Sequence, residues 1–235
     1  MEITVLGCYG PYPAPGEATS GYLIECAGKK ILLDCGAGVC GKLMERCSPE
    51  ELDLLVFSHL HYDHMSDASV LGYYYQLHGG VLPVWLPGEE QSARRSILDV
   101  PMFALNDMKD EWEQDGIRFL TVPVCHPVPC RAVRIEADGK VFAFTGDSNI
   151  CPRLEEFCRG ADVLFADSAF TTAQWGEGKP HMSAALCGKL AAAAGVKKLY
   201  LTHLNPGNDT EQLVREAGEY FPNVSCVYPG MTCPV

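Results

Sequence analysis

Six consecutive residues, His59-Leu60-His61-Tyr62-Asp63-His64, place four side chains of metal-ligand type directly after the apolar run Leu54–Ser58. A short run of that character reads as a strand buried on both faces. In extended backbone, residues two apart project to the same side, so His59 and His61 can share one ion. Asp63 and His64 fall where the chain turns towards a helix and can reach a second ion nearby. Residue type and spacing both suit a divalent metal. The competing reading, a set of solvated loop histidines, fits poorly with a buried strand immediately before them.

The remaining chain supplies the elements that such a site needs. Ile3–Leu6, Tyr22–Cys26 and Lys30–Asp34 read as strands separated by Gly and Pro, and the proline-rich stretch Gly10–Gly16 must be a loop. Further strands are expected at Val81–Leu86, Ile117–Val124, Ala132–Glu136, Val141–Thr145, Val163–Ala166, Lys198–Thr202 and near Val224–Tyr228. The Asp138-Gly139 pair marks a hairpin turn. Helices are expected over Val39–Arg46, Ser66–Leu77, Glu89–Leu98, Pro152–Cys158, Ser183–Ala194 and near Glu211–Tyr220. Strands come first, and helix and strand alternate later. Two mixed sheets packed together with helices outside satisfy that order within one α/β domain covering residues 1–235.

Three more candidate ligands stand at strand ends. His126 follows Val122-Pro123-Val124-Cys125, Asp147 follows Phe144-Thr145-Gly146, and His203 follows Leu201-Thr202. A lone histidine in such a place is more often a hydrogen-bonded structural residue. Together with the first cluster these three gain weight, because ligands converge on loops at strand ends in folds of this class.

The pattern His59-x-His61-x-Asp63-His64, His126-Pro127, Thr145-Gly146-Asp147-Ser148 and Thr202-His203 resembles metallo-β-lactamase-fold hydrolases. Within them it resembles the branch that includes ribonuclease Z and bacterial phosphodiesterases. That resemblance implies a four-layer αββα sandwich holding two divalent ions between its sheets. By the same analogy His59, His61 and His126 hold the first ion, Asp63, His64 and His203 hold the second, and Asp147 bridges them. Diiron redox relatives carry a glutamate at the position of His61, so the histidine favours a hydrolase. Zn2+ is the expected metal, although Mn2+ and Fe2+ also suit these ligands. Two ions about 3.5–4 Å apart lower the pKa of a shared water and make it nucleophilic. Asp63 is a candidate to orient or deprotonate that water.

The resemblance extends to His181-Met182-Ser183, which matches a His-Ser-Thr motif in ribonuclease Z and implies that His181 serves the leaving oxygen. A plainer reading has His181 packing at a helix start with Ser183 as N-cap. Asp167 is a candidate partner for a ligand histidine. Tyr62 either walls the cleft or packs, and His78 reads as a surface cap. Tyr73, Tyr74 and Tyr75 lie on a helix and diverge.

Substrate class depends partly on charge and spacing. Thirty acidic against 18 basic residues give a net charge of −12, which argues against broad binding to nucleic acid. Ribonuclease Z grips tRNA with a basic arm between its third histidine and its bridging aspartate. Here His126 and Asp147 are only twenty-one positions apart, and one hairpin fills that interval. A small phosphodiester, such as a cyclic nucleotide or another nucleotide-like ester, is the leading expectation. A carboxylic ester, thioester or lactone is the runner-up. Behind it come an RNA endonuclease and a ligand-binding module that retains its metal. The 12 cysteines form no Cys-x-x-Cys pair, several sit in apolar runs, and the start of the chain lacks a basic, apolar leader pattern. A reducing, cytoplasmic setting with no membrane contact is expected. Family analogy adds a homodimer.

Overall fold

Along β1 (Glu2–Gly7), β2 (Gly21–Cys26), β3 (Lys29–Leu33) and β4 (Leu54–Val56), alternate side chains enter two different cores. The computed structural model describes residues 1–89, 94, 97 and 99–235. Ile3, Val5, Tyr22, Ile24, Ile31, Leu33, Leu54 and Val56 face one core, while Leu6, Leu23, Leu32 and Leu55 face the other. This is the two-residue period of a strand covered on both faces, which explains the absence of a polar face in these runs. The second core is closed by α1 (Val39–Met44) and α3 (Ala68–His78) through Val39, Leu43, Leu71 and Tyr75.

The first core lies between two seven-stranded sheets. One has the order β14–β1–β2–β3–β4–β5–β6, with β5 at Leu82–Leu86, β6 at Phe103–Asp107 and β14 at Thr232–Pro234. The other runs β13–β12–β11–β10–β9–β8–β7. Its members are β7 (Glu111–Gln114), β8 (Ile117–Pro123), β9 (Arg131–Ala137), β10 (Lys140–Phe144), β11 (Val163–Asp167), β12 (Lys198–Thr202) and β13 (Val224–Cys226). Helices α4 (Leu154–Cys158), α5 (Ala184–Ala194) and α6 (Thr210–Gly218) supply the fourth layer. The expected αββα sandwich is therefore present.

Tyr22 ties the sheets together. Its ring centroid lies 5.4 Å from that of Phe144 and 5.5 Å from that of Phe165, and its hydroxyl pairs with Thr202 Oγ1 at 2.6 Å. Leaving so deeply buried a hydroxyl unpaired would cost about 1–3 kcal/mol.

Each sheet begins antiparallel and ends parallel. Pairing is parallel from β3 to β6 and from β10 to β13. β8 runs in the same direction as β10, because β9 is antiparallel to both. The C-terminal ends of β3 and β4, and those of β8, β10, β11 and β12, accordingly gather at one edge of the sandwich. The β9–β10 hairpin turns at Asp138 (φ 55°) and Gly139 (φ 69°), as the Asp-Gly signal predicts. This hairpin accounts for most of the chain between His126 and Asp147.

Sequence reasoning passes over β6, β7 and β14. All three are edge or near-edge strands, and β7 (Glu-Trp-Glu-Gln) buries one residue of four. The helix expected over Glu89–Leu98 lies outside the described residues, apart from isolated positions. All 12 cysteines are free thiols. Among the described residues no helix is long and apolar enough to cross a membrane.

Candidate metal centre

All seven expected ligand residues meet at that common edge. His59 and His61 follow β4, and Asp63 and His64 sit on the short helix α2 (Tyr62–Met65). His126, Asp147 and His203 follow β8, β10 and β12. They form two donor sets: His59, His61, His126 and Asp147 in one, and Asp63, His64, His203 and Asp147 in the other.

In the first set, His61 Nδ1 lies 3.1 Å from His59 Nε2 and 3.0 Å from His126 Nε2. Three imidazole nitrogens turned on one another at this spacing suit ligands around a common cation, since a zinc–nitrogen bond is about 2.0–2.1 Å. In the second set, His203 Nε2 lies 3.2 Å from Asp63 Oδ2, and His64 Nε2 lies 3.7 Å from it. Asp147 Oδ2 stands 3.5 Å from His59 Nε2, 3.3 Å from His64 Nε2 and 3.1 Å from His203 Nε2. Asp147 Oδ1 is buried without a partner. One carboxylate thus belongs to both sets.

Electrostatics agree with a site built for cations. Burial holds His59 well below its usual pKa, and it lowers His61 and His126 as well. Neutral imidazoles are the form that binds metal. Burial alone would also lower His64 and His203. For these two, Asp147 prevails, helped by Asp34 at His64 and by Asp63 at His203. His64 rises to about 10, and His203 rises well above its usual value. The carboxylates of the second set therefore draw positive charge to it.

The comparisons with known proteins agree with this geometry. Residues 29–204 match the family model described as the beta-lactamase superfamily domain. The chain belongs to the β-lactamase superfamily of metallo-hydrolases. It is 31% identical over 229 residues to YhfI of Bacillus subtilis (strain 168), described as a probable metallo-hydrolase, covering 94% of each chain. The crystal structure of that metallo-β-lactamase-fold protein superposes with a TM-score of 0.94 over 99% of this chain and 98% of YhfI, at 29% identity. Ribonuclease Z of Methanopyrus kandleri is 29% identical over 271 residues, covering 98% of this chain and 96% of that protein. Human tRNase Z, short form, shares the fold with a TM-score of 0.82 at 18% identity, over 100% and 99% of the two chains. These likenesses place this metallo-hydrolase in the ribonuclease Z-like branch of the superfamily.

Behind the candidate ligands of this β-lactamase-superfamily site stand residues that sequence reasoning does not single out. Asp34, fully buried at the end of β3, accepts from Ser58 N at 2.8 Å, Ser58 Oγ at 2.9 Å and His64 Nδ1 at 2.7 Å. Ser58 Oγ in turn lies 3.1 Å from His59 Nδ1. Because Oγ donates to Asp34, it accepts from that imidazole. With Nδ1 of each ring engaged on its outer side, the Nε2 atoms of His59 and His64 face inward, where the neutral rings would offer them to a cation. The available signal was position, since Asp34 ends a buried strand much as Asp147 does. Asp34 (φ 60°) and His203 (φ 52°) both occupy the left-handed region, which costs non-glycine residues about 1–3 kcal/mol and clusters at functional sites. Gly10 shows how closely the N-terminal loop approaches. A Cβ there would lie 2.1 Å from His203 Nε2.

Asp167 does serve a histidine, but that histidine is His181. Its Oδ2 accepts from His181 Nδ1 at 2.8 Å and from Ser148 N at 2.9 Å. The candidate ligand His203 is more distant, with Nδ1 at 3.7 Å from Oδ1. The His181 ring stacks on His203, with centroids 4.7 Å apart, and lies 5.4 Å from His126. Ser183 caps α5 by accepting from Leu186 N at 3.4 Å, so the plainer expectation for that segment also holds. Tyr62 is 73% exposed and does not pack into the core. His78 ends α3, with Nδ1 on Tyr74 O at 2.9 Å. Tyr73 points to solvent and Tyr75 into the core.

Proposed function

We propose that this metallo-hydrolase is a dinuclear phosphodiesterase acting on a small, nucleotide-like phosphodiester. The observation that carries the reading is the position of Asp147 Oδ2, within 3.5 Å of ligand nitrogens from both sets and 3.9 Å from His181 Nδ1. His59, His61 and His126 would hold one divalent cation and Asp63, His64 and His203 the other, with Asp147 shared. Zn2+ fits this nitrogen-rich set best. When bound, such a pair supplies an activated water and stabilises negative charge.

The chain's own groups do the rest. Asp63 orients the attacking water through its carboxylate. His181, anchored at Nδ1 by Asp167, keeps a proton at Nε2 for the departing oxygen. Burial would lower its pKa, but the Asp167 carboxylate outweighs burial and lifts it. An alkoxide leaving group needs such a donor, and positioned general acids contribute typically 10²–10⁴-fold.

A small substrate is favoured over RNA by three features. The acidic net charge of −12 is one. The short β9–β10 hairpin, standing where a tRNA-gripping arm would insert, is another. A cavity of about 710 Å3 beside His126 and Pro180 is the third. Phosphodiester rather than acyl chemistry draws support from the extended likeness to a ribonuclease.

The test compares bis-p-nitrophenyl phosphate, p-nitrophenyl acetate and a thioester, each with and without chelator. Phosphodiester turnover that disappears on chelation is expected. Turnover of acyl substrates alone would overturn the reading. Ligand binding without any turnover would replace it with a metal-retaining binding module.

A further inference from the structure

The cavity beside the metal centre has an outer wall that hydrolysis itself does not require. Beyond His126 and Pro180 it is lined by Pro127, Ile150, Trp175 and Lys179. Its volume, about 710 Å3, falls in the range of roughly 300–1,000 Å3 of sites that enclose a small organic molecule. Trp175 is half-buried, and its indole N–H donates to Asn149 Oδ1 at 3.1 Å. With that donor engaged, what the indole brings to the cavity lining is apolar ring rather than a free polar group. The other two tryptophans are stacked elsewhere, Trp85 on Trp112 at 4.4 Å and Trp112 on Phe119 at 4.9 Å.

Asn149 is only 7% exposed, and every part of its amide is engaged. Oδ1 also accepts from Ile150 N at 2.7 Å, while Nδ2 donates to Lys179 O at 2.6 Å and Glu177 O at 3.2 Å. One side chain therefore clamps the segment from Trp175 to Lys179 onto the turn that follows Asp147. The same segment runs directly into Pro180, whose carbonyl faces His126 Nδ1 at 3.3 Å, and into His181. Wall and metal centre are thus held in one frame.

We infer that this cavity is a subsite for a planar aromatic ring of nucleobase size carried by the phosphodiester, with Trp175 as its stacking wall and Asn149 as the residue that positions the wall. Ile150 and Pro127 supply apolar contact around the ring, while the lining also carries one charge of each sign, Glu177 and Lys179. This inference rests on the phosphodiesterase reading above, and its test separates the two.

Adenosine 5′-monophosphate and ribose 5-phosphate share sugar and phosphate and differ only in the base. Their binding to the metal-loaded protein is measured by tryptophan fluorescence and by inhibition of bis-p-nitrophenyl phosphate hydrolysis. The nucleotide should bind about tenfold more tightly, the size of one base–aromatic stack, and quench the fluorescence. Trp175→Leu should keep both metals and bring the nucleotide to within about threefold of the sugar phosphate. Asn149→Ala should weaken nucleotide binding severalfold more than ribose 5-phosphate binding, a selectivity that a merely structural role would not produce. Equal affinities in the wild type, or a base preference that survives Trp175→Leu, would overturn the subsite. Equal weakening of both ligands by Asn149→Ala would remove the positioning role. Base preference without phosphodiester turnover would overturn the proposed reaction and leave the subsite standing.

Discussion

Asp167 and His181 form a largely buried carboxylate–imidazole pair, Oδ2 to Nδ1 at 2.8 Å, beside Asp147, the carboxylate common to both donor sets. The carboxylate fixes which nitrogen of His181 carries the anchored proton, and it turns Nε2 away from itself. It also raises the pH at which the imidazole gives up its charge, against the opposing effect of burial.

His181→Ala should retain both metals and slow hydrolysis of a phosphodiester with a poor alkoxide leaving group by about 10²-fold or more. The loss should be much smaller with a p-nitrophenolate leaving group, which departs without a proton. Asp167→Asn should move the alkaline limb of the kcat profile to lower pH, because the imidazole loses its stabilising charge. Equal losses on both leaving groups, or an unmoved limb, would return His181 to a packing role.

Asp34 organises two candidate ligands, His64 directly and His59 through Ser58. Asp34→Asn should weaken metal binding by about 10–100-fold, as expected when a partner that orients a ligand histidine is altered. Chelator competition measures this directly. Wild-type affinity in that variant would show that Ser58 and the backbone suffice to orient His59 and His64.

The metal-free protein should lose stability as pH rises from about 6.5 to about 10. The His64 pKa is raised from 6.5 to about 10, with burial opposed and outweighed by Asp147 and Asp34. Below about pH 6.5 the imidazole is charged in both folded and unfolded chains, so its ion pairs contribute in full. Between the two values the folded chain holds a proton that the unfolded chain has released, and the contribution fades. Thermal melts of chelated protein across this window check the sign. Stability that climbs through it would contradict the charge assignment.

Much of the candidate centre is legible in the sequence because its candidate ligands are chemically conspicuous. Four stand in six positions, and the other three terminate apolar strands. The residues that orient them were harder to see. Asp34 looks like an ordinary strand-end aspartate until the fold brings Ser58 and His64 to it from β4 and α2. Asp167 is expected to serve a ligand histidine, and the fold gives it to His181 at 2.8 Å instead, with His203 at 3.7 Å, a difference of one hydrogen bond's reach that sequence does not carry. Asn149 is not singled out in the sequence, because its bonds to Trp175, Glu177 and Lys179 close over more than twenty-five positions. The strands β6, β7 and β14 escaped for another reason: edge strands bury fewer side chains, and their two-residue period is correspondingly faint.

The central claim is that Asp147 joins two donor sets around two cations. Elemental analysis of wild-type protein and Asp147→Ala, both equilibrated with Zn2+ and desalted, tests it most directly. The account predicts two metal equivalents per wild-type chain and reduced occupancy at both sites in the variant. Two full equivalents retained by Asp147→Ala, or fewer than one held by the wild type, would contradict it.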